Sequence, residues 1–182
     1  MDFSPIPVSD KKFLNYIFIG IVVGDKPVTA MFDTRGNTLI PQSLAANLNL
    51  TYLDQEPIDK YKGFRRARLG SMTLGELVLR DVPVVVCKDE VIDLGKDQFG
   101  NKFPADMVLG WNIISQFVFR GDLRKGILEV QTSDFKKPRK EKTNTPVFNI
   151  IFEGERYKAA LDSSRPITVS YTHLTLPTIC SV

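Results

Sequence analysis

Short apolar runs, broken by turns rich in Gly, Pro and Asp, dominate the first two thirds of the chain. Residues 17–23 and 28–32 are β-rich runs joined by Gly24-Asp25-Lys26-Pro27, the pattern of a hairpin. Asp33-Thr34-Arg35-Gly36-Asn37 then interrupts the apolar text, and Thr38-Leu39-Ile40 resumes it. Pro41 is placed to open a helix over 42–50, whose apolar positions are 44, 45 and 48. Residues 51–62 are polar and predict a loop. Four short strands follow at 66–69, 72–74, 77–79 and 82–86, punctuated by Gly70-Ser71 and Gly75-Glu76. Residues 88–104 predict a surface loop or flap-like excursion. An apolar strand then ends at Gly110, a short helix covers 111–117, and a closing hairpin uses 118–120 and 126–131. The expected fold is mainly β with two short helices.

Beyond this the text changes, then repeats. Residues 132–146 are Lys-rich with few apolar positions and read as a linker. Residues 147–152 form a second apolar run and Glu153-Gly154-Glu155-Arg156 a turn. Tyr157-Lys158-Ala159-Ala160-Leu161 then leads into Asp162-Ser163-Ser164. Laid on the first copy, Asp162 falls on Asp33, Leu161 on Phe32 and Ser163 on Thr34. An internal repeat of strand, turn, strand and Asp-hydroxyl is the economical reading.

Composition narrows the chemistry. The 182 residues, 43% hydrophobic and 25% charged, suit a soluble globular protein with a proper core. The net charge of +3 is mild. Its clearest source, the run 136–142, lacks interleaved aromatic residues, so it reads as a solvated linker and not a nucleic-acid surface. No stretch reaches the ~18 apolar residues of a membrane span. Residues 11–23 have the charge-then-apolar order of a leader, but they run directly into the Asp33 hairpin without a small-residue cleavage site and are read as a strand. Cys87 and Cys180 offer neither a disulfide framework nor metal spacing, and His173 is the single histidine. No cofactor and no metal is expected: Asp54, Glu56 and Asp59 read as a solvated loop. Catalysis, if present, falls to carboxylates, and a carboxylate ending a buried strand is costly unless something uses it.

Phe32-Asp33-Thr34 with Leu39-Ile40-Pro41 resembles the catalytic loop of retropepsin-like aspartic proteases, whose motif is apolar-Asp-Thr/Ser-Gly. Ala105-Asp106-Met107-Val108-Leu109-Gly110-Trp111 is similar to the apolar-apolar-Gly element that threads behind that loop. The resemblance implies one retropepsin-like β-barrel lobe at 12–131, a linker at 132–146 and the start of a second lobe at 147–168. It also implies an aspartic endopeptidase acting on a peptide or protein. Asp33 and Asp162 would be the catalytic pair, with Thr34 and Ser163 bracing the two loops across the axis. One carboxylate activates a water while the other, protonated, polarises the scissile carbonyl. The same resemblance allows a homodimer built through the first lobe. Asp106 is expected to make loop hydrogen bonds, and Trp111 to plug the core.

Three departures matter. Arg35 and Ser164 stand where the family has Gly, so the expected alternative is a non-catalytic β-rich binding module with a degenerate Asp loop. A cation beside the pair favours ionised Asp33 and opposes proton sharing. Gly36 allows the turn to have slid by one residue. Residues 169–182 do not continue the repeat and resemble translated adapter read-through, so a truncated second lobe and an inactive chain are the expectation.

Overall fold

The computed structural model describes residues 2–9, 16–97, 99–122, 125–133, 145–152 and 154–163. Most of the expected linker, Ser164 and the 169–182 tail with His173 and Cys180 lie outside them. The strands are β1 (Phe3–Ser9), β2 (Phe18–Val23), β3 (Lys26–Phe32), β4 (Leu39–Pro41), β5 (Leu50–Tyr52), β6 (Arg65–Leu74), β7 (Leu77–Cys87), β8 (Met107–Leu109), β9 (Phe119–Asp122), β10 (Ile127–Gln131), β11 (Val147–Phe152) and β12 (Glu155–Ala160). Two short helices, α1 (Gln42–Ala45) and α2 (Trp111–Ile114), complete the mainly β architecture.

Ten strands form one sheet in the order β5-β6-β7-β4-β8-β3-β2-β1-β10-β9. A further β6–β2 pairing joins Val22 to Thr73 and Val23 to Met72, closing six strands into a barrel. Its interior is apolar: Ile19, Ile21 and Val23 from β2, Leu69, Met72 and Leu74 from β6, and Val82, Val84 and Val86 from β7 are buried together. A smaller cluster of Phe18, Met31, Cys87, Ile92 and Val108 packs under residues 88–106. Trp111 packs half-buried against the main core.

Where four short strands were expected, two long ones occur. The buried positions of β6 run 67, 69, 72, 74, so the inward phase shifts across Gly70-Ser71. Its partner shifts opposite, at Asp81, which has φ 52. Pairing continues on both sides, from Leu69↔Val82 to Ser71↔Arg80, past a Gly without side chain and a left-handed residue. The helix expected at 42–50 stops at Ala45. Asn47 and Leu48 donate to carbonyls three residues back, tightening the chain, and Leu50–Tyr52 is captured by β6. β1 lies ahead of the expected lobe start. It carries Pro5 and Pro7, yet residues 3–7 pair on one side only, with β10, where proline is tolerated.

β11 and β12 form a separate two-stranded sheet. Their six pairs, from Val147↔Ala160 to Phe152↔Glu155, reproduce the β2–β3 register, Phe18↔Met31 to Val23↔Lys26, at a constant offset of 129 residues. The bond closing the first hairpin, Phe32 N–H to Ile17 C=O, has its counterpart in Leu161 N–H to Pro146 C=O.

Candidate functional site: a junction of two Asp loops

β3 is held in parallel with β8 through Ala30↔Met107, Met31↔Val108 and Phe32↔Leu109. Asp33 is the first residue past that pairing, and its N–H still donates to Leu109 C=O at 2.9 Å. The carboxylate therefore leaves a rigid strand end and not a loose loop. Its Oδ1 accepts the Arg35 N–H at 2.8 Å, an Asx turn that fixes the bend. Gly36 takes φ 71, so the left-handed position falls one residue after Arg35 and no side chain is strained there.

The loop is held from behind by an interlocked set of bonds. Gly110 passes so close that a Cβ on it would lie 2.3–2.6 Å from Asn37 and Thr38 backbone atoms. The Gly110 N–H donates to Thr38 Oγ1 at 3.0 Å. Thr38 N–H and Oγ1–H both donate to Asn112 Oδ1, at 2.8 and 2.9 Å, and Asn112 Nδ2 donates to Pro83 C=O at 3.0 Å. Thr38 is fully buried and its donors and acceptor are satisfied. Neither Thr38 nor Asn112 was singled out in the sequence. The available signal was a polar residue at the edge of each apolar element.

The loop after β12 meets the loop after β3. Thr34 Oγ1 donates to Leu161 C=O at 2.8 Å and accepts the Ser163 N–H at 3.0 Å. Ser163 Oγ donates to Phe32 C=O at 2.7 Å and accepts the Thr34 N–H at 3.0 Å. Each hydroxyl thus binds the carbonyl that precedes the other loop's Asp. The four bonds exchange under the same offset that relates the hairpins, so the junction has local two-fold character. Thr34 is buried, which strengthens bonds made without competing water.

Arg35 touches both carboxylates. Its amide serves Asp33, and its guanidinium Nη1 lies 3.0 Å from Asp162 Oδ2, with side chains 51% and 18% exposed respectively. The sequence pointed to Asp33 as the carboxylate influenced by this cation; the side chain reaches across the junction to Asp162.

Other candidates have structural work. Asp106 Oδ2 accepts the Thr29 N–H at 2.8 Å, and its own N–H donates to Thr29 C=O, pinning the start of the β3–β8 pairing. A groove of about 630 Å³ that includes Pro5, Pro7, Val28, Glu76 and Asp106 lies at the other end of β3 and does not include Asp33. The Asp54 carboxylate is forked by Arg66, whose hydrogen bonds hold its pKa below the ordinary 3.8. Burial pushes the Cys87 thiol up to about 11, with Asp89 adding to the shift, so it is no thiolate nucleophile at neutral pH. Among the described residues no group of His, Cys, Asp and Glu is arranged for a metal ion, and no helix is long and apolar enough to cross a membrane.

The family model described as aspartyl protease matches residues 19–113. Among solved structures, a retropepsin-like aspartic protease from Rickettsia conorii is similar at 17% identity and a TM-score of 0.48, over 71% of this chain and 91% of its own. No curated protein matches the chain.

Proposed function

This chain belongs to the aspartyl protease family, and from that premise we propose, against the expectation of an inactive chain, that it is an aspartic endopeptidase whose catalytic pair is Asp33 and Asp162. The observation that carries the reading is the reciprocal Thr34–Ser163 junction, which joins the residues flanking the two Asp side chains within one chain. Two carboxylates held across such an axis cannot both ionise easily, so they share one proton. The substrate is a peptide or protein segment.

In the reaction, the ionised carboxylate takes a proton from a water as its oxygen attacks the scissile carbonyl. The protonated carboxyl donates to the carbonyl oxygen, on which negative charge develops. The tetrahedral intermediate collapses by breaking the C–N bond, and the amine leaves with the proton the first carboxylate had taken. One water is consumed and the pair returns to its starting protonation. Thr34 and Ser163 touch no reacting atom. They fix the two strand ends, so the carboxylates need no reorganisation when charge moves.

The test is cleavage of an unbiased peptide mixture by the full chain across pH 3 to 8, with pepstatin as inhibitor. Asp33→Asn loses at least about 100-fold in rate, the usual span of general acid–base catalysis. A mutant that cleaves at the wild-type rate overturns the reading. One observation favours a second reading, a peptide-binding module without turnover: the Arg35–Asp162 ion pair occupies a carboxylate that catalysis needs. Sustained turnover excludes it.

A further inference from the structure

We propose that Arg35 is a built-in competitor for the proton that Asp33 and Asp162 share, so that the Arg35–Asp162 ion pair must open before the pair can act. The inference rests on the dyad reading above and adds its regulation. A single residue contacts both carboxylates through two different groups. Its amide N–H is spent on Asp33 Oδ1, and its guanidinium closes on Asp162 Oδ2. The Asp162 side chain is the more covered partner and Arg35 the more exposed one. The left-handed turn position is taken by Gly36, leaving Arg35 in an ordinary conformation from which its side chain can reach across.

The consequence follows from charge. Two neighbouring carboxylates hold one proton because the doubly ionised state is costly. A guanidinium against one of them removes that cost. Both can then ionise, and the acid that would polarise the substrate carbonyl is gone. Protonation of Asp162 and its pairing with Arg35 compete for the same oxygen. Among the described residues, the ionisable groups bonded to one another at this junction are Asp33, Arg35 and Asp162, and arginine does not titrate in the range of interest. Acid therefore favours the open, proton-sharing pair, and rising pH favours the ion pair. Because Arg35 is half exposed, the competition is partial and weakens with salt.

The experiment compares pH profiles of kcat/KM, and of pepstatin affinity, for the full-length wild type, Arg35→Gln and Arg35→Gly. Both variants are expected to move the alkaline limb upward by about one pH unit, hence about tenfold faster cleavage and tighter pepstatin binding at a fixed pH on that limb. Raising salt shifts the wild-type limb the same way and leaves Arg35→Gln unmoved. An unchanged limb, or lower activity and weaker pepstatin binding in both variants, overturns the inference. Asp33→Asn separates this outcome from failure of the dyad itself: if that mutant is inactive while Arg35→Gln keeps the wild-type profile, only the competition is wrong. Absence of cleavage and of pepstatin binding by wild type and both variants from pH 3 to 8 overturns both.

Discussion

The β2–β3 and β11–β12 hairpins share a register, a closing hydrogen bond and an Asp-hydroxyl ending, yet they live in opposite surroundings. Ile19, Ile21 and Ala30 are sealed inside a barrel, while of their counterparts on a two-stranded sheet Phe148 is exposed and Ile150 and Ala159 are only half-buried. An isolated hairpin is marginal in water. Among the described residues, the second hairpin's hydrogen bonds to the first lobe run through the Thr34–Ser163 junction and the Arg35–Asp162 pair, both just past the end of β12. The same local sequence pattern is thus buried in a core in one place and left on an exposed two-stranded sheet in the other. The first hairpin carries the core. None of the second's described residues is fully buried, but it brings Asp162 to Arg35 and Ser163 to Phe32.

A matched pair of truncations gives the largest expected difference between the two hairpins. Ile19→Ala removes a fully buried side chain and costs about 3 kcal/mol, whereas Phe148→Ala, at a side chain 46% exposed, costs under about 1 kcal/mol. Denaturant midpoints of the two variants check this; equal losses would mean that the second hairpin is packed as well as the first.

A smaller effect is expected at the junction. Ser163→Ala leaves the Thr34 N–H and Phe32 C=O without their partner, at a cost of about 1–2 kcal/mol local to the loop. Hydrogen exchange reads it directly: protection at the Thr34 amide falls while that of the β2 and β6 amides holds. Unaltered exchange at Thr34 would show that the two hairpins are not coupled.

The smallest effect is an acid-dependent one within the first lobe. The Asp54 pKa is lowered by Arg66, so this bond contributes stability above the ordinary value of 3.8 and loses it as pH falls through the lower folded value. Asp54→Asn flattens that part of the pH-dependence of unfolding, modestly, because the pair is on the surface. An unchanged acid limb would remove the pair from the account.

Much of this was legible in the sequence because it rests on chain-local signals. The period-two runs and the Gly24-Asp25 turn predicted the first hairpin, and its echo at 147–161 predicted the second. Gly110 was marked by its place after an apolar run, and the close backbone contact with Asn37 and Thr38 supplies the reason. What was not legible depends on partners distant in sequence. β1 was hidden by two prolines whose tolerance comes only from one-sided pairing with β10. Gly70 looked like a break because it disrupts periodicity alone; the pairing resumes past it, from Leu69↔Val82 to Ser71↔Arg80, with Asp81 in a left-handed conformation across from it. Asn112 gave no warning that its Oδ1 would take two bonds from Thr38. Arg35 was recognisable as an intruder, but which carboxylate it would reach is decided by the fold of the second loop.

The central claim is that the second hairpin supplies the partner carboxylate from within the same chain. The rate of peptide cleavage by full-length Asp162→Asn at acid pH tests it most directly. The account predicts a loss of at least about 100-fold, matching Asp33→Asn. Cleavage by Asp162→Asn at the wild-type rate, alongside an inactive Asp33→Asn, would contradict it and move the second carboxylate to another copy of the first lobe.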